Sequence, residues 1–174
     1  MAQQQLEAFL AGIEKRAFRM ARLAVGNDAD ALDIVQDAMM KLVERYASRA
    51  ESEWPPLFYR ILQNRIMDFH RDSKRRWMFW KSVDEDAVES QDSAVETGEN
   101  PADLVTAERT TKVLMAEIAA LPRQQQQCFM LRSWEGLSVE ETARSMQLST
   151  GSVKTHYFRA LARLRQVLEK DDDH

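Results

Sequence analysis

The chain has little of what covalent and metal frameworks are built from. Its single cysteine, Cys128, excludes an internal disulfide and any multi-cysteine zinc site. Three scattered histidines, one of them the final residue, leave no metal cluster, and neither a metal nor another cofactor is expected. Five glycines and four prolines in 174 residues exclude collagen-like and low-complexity classes. No apolar run approaches the roughly 18–20 residues that cross a bilayer, so an integral membrane protein is not expected. The start, Met1-Ala2-Gln3-Gln4-Gln5, lacks the basic and then apolar segments of a signal peptide. A reducing cytoplasm is the expected location. Alternation of apolar and polar residues is never sustained and β-branched residues are sparse, which argues against sheet.

What is present is charge, unevenly spread. Residues 1–80 hold 13 basic and 11 acidic side chains, residues 81–103 hold 1 and 8, and residues 104–170 hold 10 and 6. With Asp171-Asp172-Asp173 the net charge is −4. Two mildly basic segments therefore flank an acidic one. Val83–Glu99 has no aromatic residue and few large apolar ones, the composition of a solvated linker. It reads as a spacer or as an acidic competitor for a basic surface. The expected division is an N-terminal domain over 1–80, an acidic linker over 81–100 and a C-terminal domain over 101–170.

Apolar residues recur at spacings of three and four, so the expected fold class is all-α, with two small helical domains. Leu6, Phe9/Leu10, Ile13, Ala17, Met20 and Ala24 line a first helix. Gly26-Asn27-Asp28 supplies its C-terminal glycine and the next N-cap. The second helix turns Leu32, Val35, Met39, Leu42/Val43 and Tyr46 inward. Trp54-Pro55-Pro56 opens a third, since proline is tolerated in a first turn; its stripe is Leu57/Phe58, Ile61/Leu62, Ile66 and Phe69. Asn100-Pro101 caps a fourth, with Leu104, Ala107, Thr111, Leu114, Ile118 and Leu121 inward. Pro122 starts a fifth, ending near Glu135-Gly136. Ser138-Val139-Glu140-Glu141 is a capping box for a sixth. The last runs from about Thr150 to about Leu168, with Val153, Ala160/Leu161, Leu164 and Leu168 inward.

Three segments carry chemistry. Ser138–Met146, the turn Gln147-Leu148-Ser149 and Thr150–Arg165 have helix-turn-helix spacing, with small Ala143 where the helices would cross. Thr150–Arg165 carries Lys154, Arg159, Arg163 and Arg165 and no acid. Gly151, Lys154, Thr155, Phe158 and Arg159 can share the face opposite Val153, Ala160 and Leu164. A helix in the major groove needs such a face: short polar residues for base edges, Lys and Arg for phosphates and guanine. The solvated side of an ordinary bundle could look the same, and His156 reads as a surface residue. Residues 60–76 hold six basic and two acidic side chains, and Arg60, Asn64, Asp68, Arg71 and Arg75 form one polar stripe. Trp77, Phe79 and Trp80 follow at once. Basic residues beside aromatics suit single-stranded nucleic acid; a salt-bridged helix surface is the plainer alternative. Asp33, Gln36, Asp37, Lys41 and Glu44 lie outward on the second helix, as a solvated face or a docking surface for a basic partner. No histidine, phosphate loop or nucleophile accompanies these carboxylates, so an enzyme is not expected.

These segments together resemble a known family. Ala29–Leu42, with Asp33-Ile34-Val35-Gln36-Asp37 at its centre, is similar to a signature of bacterial sigma factors. Leu57–Arg71, with Tyr59-Arg60-Ile61 and Asn64-Arg65, resembles their promoter-melting helix. Leu121-Pro122 through Val153-Lys154-Thr155-His156-Tyr157-Phe158-Arg159-Ala160 resembles their helix-turn-helix module. Three linked motifs in order cover most of the chain. The arrangement is similar to the compact two-domain extracytoplasmic-function group of the sigma-70 family.

The resemblance implies roles. Asp33, Gln36, Asp37 and Glu44 would dock on the β′ clamp helices of core RNA polymerase, whose β subunit is a further partner. Arg60, Ile61 and Asn64, with the loop Ala47–Glu53, would capture a flipped base of the −10 promoter element, offsetting an extrusion cost of a few kcal/mol. Arg71, Lys74, Arg75 and Arg76 would hold nearby phosphates. Ser149, Gly151, Ser152, Lys154, Thr155, Phe158 and Arg159 would read the −35 element. The acidic linker would thread towards the RNA exit path, and an anti-sigma factor is a possible partner. Sigma factors are not themselves enzymes.

Two departures stand out. The family commonly has Trp where this chain has Leu57; here Trp54 stands earlier, before two prolines, which bears on the shape of the base-capturing loop. The family often has Gly in the turn where this chain has Gln147, which matters if that position is left-handed. Two other classes fit parts of the sequence. One is a stand-alone helix-turn-helix regulator binding duplex DNA without polymerase. The other is an adaptor that binds polymerase or an anti-sigma factor without reading DNA.

Overall fold

The computed structural model describes residues 1–81 and 102–172, so the expected acidic linker, Lys81 apart, lies outside the described residues. Helix α1 (Ala2–Val25) stops where Gly26 takes φ 87°, its N–H donating to the Arg22 carbonyl. Helix α2 (Asp28–Tyr46) starts at once, because the Asn27 side chain accepts the Asp30 N–H at 2.9 Å. A 3-10 turn (Glu51–Glu53) leads into α3 (Trp54–Lys81). Trp54 is buried and its Nε1–H donates to the Tyr46 carbonyl at 3.1 Å, tying the start of α3 to the end of α2.

The C-terminal part comprises α4 (Ala102–Ala120), α5 (Arg123–Phe129), a π-helical turn (Met130–Trp134), α6 (Val139–Met146) and α7 (Thr150–Asp172). The expected capping box forms: Ser138 Oγ accepts the Glu141 N–H at 3.1 Å, and Glu141 Oε2 accepts the Ser138 N–H at 2.8 Å. The fifth helix differs from expectation, ending at Phe129 and passing into the π turn. Gln147 closes α6 at φ 56° and ψ 42°, the one non-glycine with positive φ among the described residues. That conformation costs an L-residue about 1 kcal/mol.

Burial corrects two of the expected stripes. On α2 the buried face is Ala31, Ile34, Val35, Ala38 and Leu42, while Leu32 and Val43 are 45% and 44% exposed. The alanines let neighbouring helices approach closely, which swings the larger flanking residues outward. On α4 Ala107 and Thr111 are exposed, because the helix packs through its C-terminal half at Ile118, with Leu121 just beyond its end.

The largest apolar core joins both halves of the chain. It runs from Leu6, Leu10, Ile13, Ala17 and Met20 of α1 through Phe58, Leu62 and Ile66 of α3 to Met130, Leu131 and Leu137. Smaller clusters gather Ile118, Leu121, Ala160 and Leu164, and Cys128, Ala143 and Val153. A polar seam accompanies the shared core. The Tyr59 hydroxyl donates to the Glu135 carboxylate, which also lies 3.4 Å from Arg16 Nε. The Gln63 amide donates to Gln127 Oε1, and Ser145 Oγ donates to the Pro56 carbonyl at 3.2 Å. Gln126 is buried as well and donates to the Ile118 carbonyl at 3.0 Å. Such pairing is what lets polar groups sit in an interior.

Candidate nucleic-acid interface

The helix-turn-helix is held from below by apolar residues and left bare above. Val153, Ala160 and Leu164 are buried, and Arg163 Nε reaches Glu117 of α4 at 3.6 Å. Ser149 Oγ accepts the Ser152 N–H at 3.1 Å and donates to Ser152 Oγ at 2.9 Å, capping α7. Thr155 Oγ1 donates to the Gly151 carbonyl at 3.0 Å. Gly151, Lys154, Thr155, Phe158 and Arg159 are all exposed on one side, Phe158 to 71%. Among the described residues neither Lys154 nor Arg159 has a carboxylate partner. The expected −35 set therefore converges on one face, with Ser152 half-buried beside it. His156 turns partly inward, its Nδ1 buried without a partner.

The N-terminal candidates gather differently. Arg60, Ile61 and Asn64 line a groove of about 400 Å³ between α2 and α3, together with Leu57 and Tyr46. That volume is in the range of clefts that hold small ligands. Lys41, Arg45 and Arg65 line the same groove; sequence reasoning placed Lys41 with the outward face of the second helix and gave Arg45 and Arg65 no role. The signal was available for Lys41 and Arg45, which lie four apart on α2, but their relation to α3 depends on how the helices pack. Arg65 bridges Asp37 at 3.2 Å and Asp68 at 3.8 Å, and Arg71 reaches Asp68 at 3.7 Å. Arg71, Lys74, Arg75 and Arg76 are exposed further along α3, away from the groove. Trp54 is a core anchor at 2% exposure, so the early tryptophan serves packing and Leu57 stands at the groove wall.

On the outer side of the same two helices, Asp33, Gln36 and Asp37 line a second groove of about 420 Å³ with Met40, Phe69 and Asp72. Glu44 is exposed but does not line it. Met40, three residues after Asp37 on α2, and Asp72 of α3 extend the expected acidic face; Asp72 is the one that periodicity along α2 could not join to it. Where α3 passes α5, His70 hydrogen-bonds the Ala24 carbonyl; burial and then the charge of Arg123 hold its pKa below the usual value. Burial pushes the Cys128 thiol up to about 12, so it is an inert core group. Among the described residues no group of side chains could hold a metal ion, and no helix is long and apolar enough to cross a membrane.

Residues 7–76 match Sigma-70 region 2 and residues 111–164 match Sigma-70 region 4. The chain is 28% identical over 170 residues to the RNA polymerase sigma-E factor of Streptomyces avermitilis, covering 97% of this chain and 87% of that protein. It is 31% identical over 136 residues to the ECF RNA polymerase sigma-E factor of Escherichia coli, covering 75% of this chain and 70% of that protein. Its fold is shared with the Bartonella quintana sigma factor RpoE, solved in complex with the anti-sigma factor NepR, at 24% identity and a TM-score of 0.65 over 96% of both chains. The chain belongs to the extracytoplasmic-function sigma factors of the sigma-70 family, non-enzymatic factors that direct RNA polymerase to promoters.

Proposed function

We propose that the two recognition surfaces divide promoter reading between base capture and groove reading. The observation that carries this is their difference in shape: a basic groove at Arg60, Ile61 and Asn64, and a protruding helix face at Lys154, Thr155, Phe158 and Arg159. A groove suits a flipped base of the −10 element, whose edge Asn64 can read by donor and acceptor together. A convex helix face suits the major groove of the −35 element. Arg71, Lys74, Arg75 and Arg76 hold phosphates further along the strand, beyond the groove. Ser149, Gly151 and Ser152 let the start of α7 approach the duplex closely.

The outer groove at Asp33, Gln36 and Asp37, extended by Met40 and Asp72, docks on the β′ clamp helices of core polymerase, with Glu44 at its margin. Exposed Met40 adds apolar contact there, and with exposed Leu32, Val43 and Met67 elsewhere on α2 and α3 it gives an anti-sigma factor something to cover. The site of action is the cytoplasm, where the polymerase and promoter are.

The two elements lie about 25 base pairs apart by their designations, on the order of 85 Å along the duplex at about 3.4 Å per base pair. The modules packed on one another here must part to read both. The test is reconstitution with bacterial core polymerase followed by genome-wide run-off transcription. Discrete start sites sharing two upstream elements are expected. Binding to core without start sites would favour an adaptor, and no binding to core would overturn the polymerase-docking face.

A further inference from the structure

The two modules meet at Arg60. This side chain lines the base-capture groove on one side. On the other it lines a cavity of about 440 Å³ shared with Ser52, Glu53, Pro56, Glu141 and Arg144. Among the described residues it has no carboxylate partner. Its partner is Gln147, the left-handed residue that ends α6. With the amide oxygen turned toward the guanidinium, Gln147 accepts Arg60 Nη2–H at 2.6 Å and Nε–H at 3.2 Å. Two donors from one planar guanidinium fix both distance and orientation. Glycine would hold this backbone conformation without strain but would have no side chain to reach Arg60.

The same seam contains a defect. The Glu135 side chain is 2% exposed, and its Oε1 is buried with no hydrogen-bond partner. Parting the modules would hydrate that oxygen, so part of the cost of burying Glu135 is recovered on opening. Closure is therefore favoured by the apolar contacts of Met130, Leu131 and Leu137 and opposed by this orphaned acceptor.

We propose that Gln147 is a latch: it holds the Arg60 guanidinium at the helix-turn-helix turn in the free protein and releases it to the −10 element when the modules part. This rests on the assignment of Arg60 to the −10 element made above. The latch is a property of this chain's own turn residue, and it couples the two recognition surfaces through one pair of side chains.

The experiment uses the full chain carrying Ser145→Cys, a change of one atom at a seam position that is 1% exposed. Reaction of the thiol introduced at position 145 with a maleimide reports seam opening. Native Cys128, which lies in the C-terminal module's own cluster, reports unfolding of that module. Gln147→Gly should accelerate labelling at position 145 about fivefold, the effect of one net hydrogen bond, without changing labelling of Cys128. Gln147→Glu should slow it, because a carboxylate pairs with Arg60. Both effects should vanish in an Arg60→Ala background. Equal rates for wild type, Gln147→Gly and Gln147→Glu would overturn the latch, as would effects that persist without Arg60. Permanganate footprinting of promoter melting by the Arg60→Ala holoenzyme tests the underlying assignment separately. Normal melting together with the labelling changes would remove the promoter role of Arg60 and uphold the interdomain contact.

Discussion

Helices α7 and α3 carry five and seven basic residues and hold their candidate site residues differently. On α7, Lys154 and Arg159 stand in solvent without carboxylate partners, on a helix held by Val153, Ala160 and Leu164. On α3, Arg65 is tied to Asp37 and Asp68, Arg71 to Asp68 and Arg60 to Gln147. The difference follows from the partner each would meet. A duplex groove accepts a rigid rod whose cations need only project. An extruded base needs a cleft, and a cleft between helices must be framed by side chains that already hold one another. The first surface can be read from one helix; the second exists only where two helices pack.

The largest effect should come from breaking the core the two regions share. Phe58→Ala removes a fully buried ring of α3 from a cluster that reaches Met130, Leu131 and Leu137. It should destabilise the protein by about 3–5 kcal/mol. Because the cluster spans both modules, circular dichroism and labelling of Cys128 should shift together in urea.

Arg159→Ala should weaken the protruding face alone. One good base or phosphate contact is worth about 1–3 kcal/mol, so transcription from promoters with both elements should fall about ten- to a hundredfold. The melting temperature and core-polymerase affinity should stay unchanged. Asn64→Ala should reverse that pattern: −35 binding is retained, while permanganate-detected opening falls about tenfold through loss of a base-edge contact worth about 1 kcal/mol or more. If both variants fail at the same step, the division of labour is wrong.

The smallest effect concerns pH. His70 resists protonation when folded, from burial first and Arg123 second. The unfolded chain takes up its proton near pH 6.5 while the folded chain does so lower. Stability from His70 is therefore fully present above about pH 6.5 and declines as the pH falls through that value toward the depressed one. Thermal melts should show the wild type losing more stability than His70→Gln between about pH 7.5 and about pH 5.5. Equal losses would show that folding does not hold the His70 pKa below its usual value.

Much of the architecture was legible because it is local. Gly26, Asn27 and the Ser138–Glu141 box announce helix ends through backbone preference and short-range hydrogen bonds, and all three act as expected. The α7 face was legible for the same reason, since spacing along one helix places Lys154, Thr155, Phe158 and Arg159 together. The inward faces of α2 and α4 were misjudged at Leu32, Val43, Ala107 and Thr111, because periodicity finds a stripe but not which edge of it a neighbour covers.

By itself, then, the sequence determined an all-α chain with two basic modules, the helix termini, and the polar faces of α2, α3 and α7. Only the tertiary structure decided that Tyr59, Gln63, Gln127 and Glu135 are interior residues. In sequence they look like any solvated polar group. Tyr59 and Glu135 are 76 positions apart, and Gln63 and Gln127 are 64 apart, so each is buried only because its partner arrives from the other module. Burying a polar group without such a partner costs about 1–3 kcal/mol. Pairing across that distance is a property of the packed chain, set by the shared apolar core that brings the two modules into contact.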